Sequence, residues 1–172
     1  MAKKSDTFFI RHQTNIGHAG VYTQGEIDLG SFVNLGVPSS TLLRIHQVQI
    51  QITGASGAFP ELGADTAGDI AWQLTTQSQG SMVGLVDKSC VAVGQVACRN
   101  PDSAANVPTQ VWETTINPSD YTNGYLIGVD TLYLAGFCDA DFTSDMYLNI
   151  MLECTLEKAT QASSTALALS QQ

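Results

Sequence analysis

Met146, Leu148, Ile150, Leu152, Cys154 and Leu156 place an apolar side chain at every second position near the end of the chain. Their alternates are Tyr147, Asn149, Met151, Glu153, Thr155 and Glu157. Side chains alternate faces along a strand, so the pattern predicts one long strand over residues 145–157, with a core face and a mostly polar face. On a helix the same set would spread around the whole circumference. A second long strand is predicted over residues 42–53. Leu43 and Ile45 share one phase, and Val48, Ile50 and Ile52 share the other. The phase changes at His46 and Gln47, which predicts a β-bulge or a strand passing between sheets. Gln47, Gln49 and Gln51 then face outward.

Shorter period-2 or apolar segments cover residues 21–29, 70–76, 82–86, 90–98, 110–116 and 125–137, the last with a strand starting near Thr131. With the two long strands this makes eight. The intervals carry turn chemistry. Asn117-Pro118-Ser119-Asp120 combines a fixed φ with side chains that bond the local backbone, and Asn123-Gly124 suits a tight turn. No apolar stripe of helical spacing exceeds two turns, although short helical turns fit near Phe32 and after Pro118. The pattern predicts an all-β, eight-stranded, two-sheet sandwich over residues 19–158. Residues 1–18 read as an N-terminal arm and residues 159–172 as a C-terminal tail. Phe8, Phe9, Leu167 and Leu169 are among the large apolar groups of these two ends, and they are the candidate assembly contacts.

The length of 172 residues suits one domain with a sizeable core. Charged residues make up 13% of the chain, about half the usual share, which disfavours disorder and leaves a neutral polar surface. The net charge is −9, and the seven cations form no stripe: Lys3, Lys4 and Arg11 lie near the N-terminus and the rest are scattered. Nucleic-acid affinity comes largely from neutralised phosphates, so strong nucleic-acid binding is not expected. No apolar run reaches the ~20 residues that span a bilayer, and no apolar segment follows Lys4 as in a signal peptide. The expectation is synthesis in cytoplasm without membrane insertion.

Candidate chemistry is sparse. Asp139, Asp141 and Asp145 bring three carboxylates into seven residues between two predicted strands, a candidate Ca²⁺ loop. It lacks the glycine and terminal Glu of an EF-hand, and a solvated hairpin tip is the plainer reading. His12 and His18 lie in an N-terminal loop, where ordinary loop histidines are a plainer reading than a metal pair, and His46 lies within a strand, where a sheet residue at a bulge is a plainer reading than a catalytic base. Cys90, Cys98, Cys138 and Cys154 have neither zinc nor redox spacing and read as buried thiols. Cys138 and Cys154 flank a predicted hairpin whose register keeps them apart, so no disulfide joins them. No nucleophile elbow, dinucleotide fingerprint, P-loop or zincin helix occurs. Trp72 and Trp112 sit in period-2 patterns and read as packing aromatics.

Eight strands, long loops, two terminal segments and about 170 residues together resemble a single jelly-roll viral capsid (coat) protein over residues 20–158. The resemblance is one of architecture and transfers no residue. It implies a jelly-roll fold and a virion protein that self-assembles into a many-copy shell, made in host cytoplasm, with itself and other virion proteins as partners and no cofactor. The chain lacks the strongly basic arm of coats that wrap single-stranded genomes. Two other readings remain open. One is a β-sandwich module that binds carbohydrate or a cell surface, marked by an exposed aromatic among Tyr22, Trp72, Trp112 and Tyr125. The other is a cupin-like enzyme, which needs metal-binding histidines and carboxylates on core strands.

Overall fold

The computed structural model describes residues 2–3, 5–35, 37–102 and 109–171. In chain order the strands are β1 (Ala2–Lys3), β2 (Phe8–Gly17), β3 (Thr23–Asp28), β4 (Ser39–Gly54), β5 (Ala67–Thr75), β6 (Cys90–Arg99), β7 (Thr109–Ile116), β8 (Tyr125–Ile127), β9 (Thr131–Cys138) and β10 (Met146–Thr160). A 3₁₀ turn, Pro118–Asp120, precedes β8, and a helix, α1 (Gln161–Ser170), follows β10.

The strands form two antiparallel sheets. In the first, β10 is central: β2 and the short β1 lie in succession along one edge, β4 along the other, and β8 lies beyond β4. The second sheet has the order β3-β9-β5-β6-β7. With β1 and β7 set aside, the orders β2-β10-β4-β8 and β3-β9-β5-β6 are those of an eight-stranded jelly roll. Among these eight strands the chain crosses between sheets at every step except β5 to β6, and each sheet buries its inner face against the other. Met146, Leu148, Ile150, Leu152 and Cys154 of β10 are all buried, as the alternation predicts, whereas Leu156 is only half-buried.

The predicted phase change falls on a bulge. Glu153 pairs with Gln47 and Cys154 with Ile45, so His46 is the extra residue. Leu43 and Ile45 before it, and Val48 after it, therefore all reach the same core. The second sheet solves a different packing problem. Trp72 of β5 is buried, and its cross-strand neighbours are Gly94 on β6 and Gly136 on β9. A Cβ at Gly94 would lie 2.6 Å from Trp72 Cε2, so the indole occupies the space a side chain would need there.

Several expectations require correction. Residues 8–17 are not part of an arm but a strand, paired with β10 from Phe8 opposite Cys154 to Gly17 opposite Met146. Its inward set includes His12 and Thr14, whose polarity hid the alternation in the sequence. His12 therefore lies in a strand and not a loop. Residues 82–86 form no strand. They belong to a segment laid over the outer face of the second sheet, where the buried Gln73 accepts from Val83 N (2.7 Å) and donates to Ser81 O (3.2 Å) and Tyr22 Oη (3.0 Å). Residues 125–137 divide into β8 and β9, which join different sheets because Gly128–Asp130 carries the chain across. β9 and β10 likewise belong to different sheets and form no hairpin.

The tail is also folded onto the domain. Thr160 caps α1 by accepting from Ser163 N, and Ser164 Oγ donates to Ser40 Oγ at 2.9 Å. Gln171, just past the helix, is buried. Its side chain accepts from Gly128 N (2.8 Å) and donates to Leu126 O (2.6 Å), and its carbonyl accepts from Thr76 Oγ1 (2.7 Å).

Candidate functional site

The register places the β2–β3, β4–β5 and β9–β10 loops at one end of the sandwich, since Gly17, Met146 and Gly54 are mutual neighbours there. The acidic segment lies at this end, but it is not one site. Asp145 is held by β2 and the residue that follows it: Asn15 Nδ2 donates to Oδ2 at 3.1 Å, and His18 Nδ1 stands 2.7 Å from Oδ1. The Asn15 and His18 hydrogen bonds keep its carboxyl below the usual carboxylate range. Asp139 faces the other sheet, where its amide donates to Asp69 O at 3.1 Å and its carboxyl meets that of Asp69. Asp141 is exposed, and its carbonyl accepts from Gly63 N at 3.0 Å. Between them Phe142 is buried in the core and pins the loop through its bridge to Leu62. An inward aromatic thus divides the loop, and the three carboxylates do not converge. Among the described residues, no three His, Cys, Asp or Glu side chains gather in a metal-binding group.

The Asp69 carboxyl is raised, first by burial and then by the negative charge of Asp139. A raised folded pKa means the charged form is penalised in the fold, and that penalty is present at neutral pH and absent below the unfolded value of 3.8. Asp69→Asn is therefore expected to stabilise the protein at pH 7. The gain is only ~0.3–0.5 kcal/mol, because water screens a largely exposed group. Urea denaturation at pH 7 and at pH 3 checks this, with the gain vanishing at the lower pH.

The four candidate assembly residues separate into two kinds. Phe8 turns inward and stacks on Phe32, ring centroids 5.2 Å apart, and Leu167 packs against Gly128. Phe9 and Leu169 are exposed, Phe9 beneath the Arg11 guanidinium. Other exposed apolar groups were missed in the sequence. Val21 and Phe59 stand on loops at the Gly17 end, while Leu85 and Val86 stand on the β5–β6 connection, which leaves the sandwich at the other. Val86 is fully exposed. Their run of apolar letters had suggested a strand, and only the three-dimensional placement shows them on a surface.

None of the four cysteines is in a disulfide. Cys138 and Cys154 lie on different sheets, and burial pushes each thiol up to about 12, with a nearby carboxylate adding to the effect. Such thiols stay protonated and unreactive. His12 is lowered by burial, and His46 Nε2 lies 2.9 Å from Thr155 Oγ1. Trp72 is a core residue, Tyr22 Oη accepts from Gln73, and Tyr125 packs against the core. The side chain of Trp112 lies outside the described residues.

The fold defines the class, a two-sheet jelly-roll sandwich. Among solved structures the chain is similar to the capsid protein VP1 of Trichodysplasia spinulosa-associated polyomavirus, solved in complex with sialylated precision glycooligomers. The identity is 12%, the match covers 91% of this chain and 96% of that one, and the TM-score is 0.43. No protein-family model and no curated protein sequence matches the chain.

Proposed function

We propose that the protein is a structural coat subunit that self-associates in many copies to form the shell of a virus particle. The strand order carries this reading. Jelly rolls serve as coat subunits, lectins and cupins. A cupin needs metal ligands converging on core strands, and the described residues offer no such group. A lectin of the kind expected from the sequence needs an exposed platform among Tyr22, Trp72, Trp112 and Tyr125; among the described side chains Tyr22, Trp72 and Tyr125 are engaged in the fold, and that of Trp112 lies outside the described residues. A coat subunit needs a rigid sandwich and contact surfaces, and exposed apolar groups stand on the loops at the Gly17 end and on the β5–β6 connection laid over the second sheet. Single exposed apolar residues are ordinary, but the adjacent Leu85 and Val86 on a charge-poor surface favour a contact.

Size-exclusion chromatography with negative-stain microscopy tests the reading. Shells or large closed oligomers are expected, and a protein that stays monomeric at high concentration contradicts it. The double variant Leu85→Asp/Val86→Asp is expected to shift the sedimentation profile toward monomer. Its Tm should change by no more than about 1–2 °C, since these side chains bury little in the monomer.

A further inference from the structure

The bulged strand also builds a cleft that shell formation does not require. A cavity of about 590 Å³ opens on the outer face of the first sheet beside β8. Arg44, His46 and Glu157 line the strand side, and Ser119, Tyr121 and Asn123 line the facing loop. Its size is that of an ordinary small-molecule site, about 300–1,000 Å³.

The cleft is held in shape from within. Arg44 Nε and Nη2 donate to the two oxygens of Glu157 in a fork, and Nη1 donates to Asn123 O at 2.6 Å. The Arg44 hydrogen bonds hold the Glu157 carboxyl below its ordinary range, so it stays an acceptor. The loop side is fixed by Asn117 and Asp120: Asn117 Oδ1 accepts from Ser119 N at 3.0 Å, and Asp120 Oδ2 accepts from Asn117 N at 2.9 Å. Gly124, at φ +62°, then lies so close to the Ile45 carbonyl that no side chain fits. A ligand would meet a site already ordered, which favours affinity.

The chemistry selects the ligand. The Arg44 and Glu157 charges neutralise each other, so an anion that approached Arg44 would also face the Glu157 carboxylate. An apolar ligand would leave polar groups desolvated without partners. A guanidinium has five N–H donors, three of which are engaged here, and a carboxylate accepts more than two hydrogen bonds. Donors and acceptors therefore stand side by side in one plane. Adjacent hydroxyls of a sugar ring each donate and accept, and they match that arrangement. The Tyr121 ring, half-exposed on the rim, offers an apolar face to the C–H side of such a ring. We infer that this cleft binds a neutral pyranose sugar, its vicinal hydroxyls on the Arg44–Glu157 pair and its ring face on Tyr121.

The test uses full-length protein and the methyl glycosides of glucose, galactose and mannose, with lactose and sialyllactose as a neutral and charged pair. Binding is read by saturation-transfer NMR and calorimetry. Saturable millimolar binding of at least one methyl glycoside is expected, weakened about tenfold or more by Tyr121→Ala. That substitution lies on the surface, so its melting temperature serves as the folding control. Glu157→Gln should weaken binding similarly, and sialyllactose should bind no tighter than lactose. The proposal is overturned if no neutral glycoside saturates, if Tyr121→Ala binds like the native protein, or if sialyllactose binds about tenfold tighter than lactose.

Discussion

Gly94→Ala is expected to destabilise the protein by about 2–3 kcal/mol, although it adds a single methyl group. In most strands the same change would be neutral or helpful, because glycine weakens strand interiors. Here the new Cβ would lie 2.6 Å from Cε2 and 2.8 Å from Cζ2 of Trp72. The indole cannot move aside. It is buried, and on its other flank a Cβ at Gly136 would stand 2.9 Å from Leu148 Cδ1 of the opposite sheet, so that space is taken too. For a domain of this size the loss corresponds to a fall in Tm of roughly 5–10 °C. Thermal unfolding and urea denaturation both report it. The interaction is specific to the tryptophan, so a double-mutant cycle sharpens the test. In a Trp72→Leu background the Gly94→Ala change should cost well under ~1 kcal/mol, since the group it collides with is gone. An equal loss in both backgrounds would place the conflict elsewhere.

What was legible in the sequence was whatever a period of two could carry. β10 and β4 announce themselves because their inward residues are almost all aliphatic, and the bulge at His46 was visible as a change of phase. β2 was hidden because its inward positions include His12 and Thr14, and because a strand beside a long polar terminus looks like an extension of it. Residues 82–86 misled in the opposite sense: apolar letters without a cross-strand partner are not a strand. The acidic loop looked like one ligand set because sequence distance was short. Phe142 turns into the core between Asp141 and Asp145, and the loop's carboxylates end on separate partners. Arg44 and Glu157 could not be paired by eye, since they lie far apart in the chain and meet only through the β4–β10 register, which sets Arg44 beside Thr155. Gln73 and Gln171 gave no signal at all. Each is a neutral polar residue whose importance comes from being buried with every bond satisfied.

Deleting residues 1–17 is expected to abolish cooperative folding, and deleting residues 161–172 to cost about 2–4 kcal/mol while leaving a folded domain. As free arms, both ends would come away without loss, so the outcome separates arms from structure. The N-terminal deletion removes the whole of β2. One side of β10 would lose its ladder from Met146 to Cys154, and the core would lose Ile16 together with the packed side chains of Phe8 and Ile10. A long unpaired edge beside an opened core also invites aggregation, so the expected product is insoluble or molten. The C-terminal deletion is milder. α1 contributes little apolar burial, with Ser164 its buried residue and Leu169 exposed. Its hold comes from Gln171. Without that residue, the buried Gly128 N loses its acceptor and Thr76 Oγ1 loses the Gln171 carbonyl. A buried polar group deprived of its partner costs roughly 1–3 kcal/mol, which sets the estimate. Gln171→Ala in the full-length chain should recover about half of the loss, because the main-chain carbonyl still accepts from Thr76 while the side-chain bonds to Gly128 and Leu126 are gone. Circular dichroism melts beside sedimentation velocity, on native, trimmed and Gln171→Ala protein, read stability and association together. A trimmed 1–160 chain that melts at the native temperature would return the tail to the status of an arm. One that melts early but still associates would place the contacts on the sandwich and its loops, where Leu85 and Val86 stand exposed.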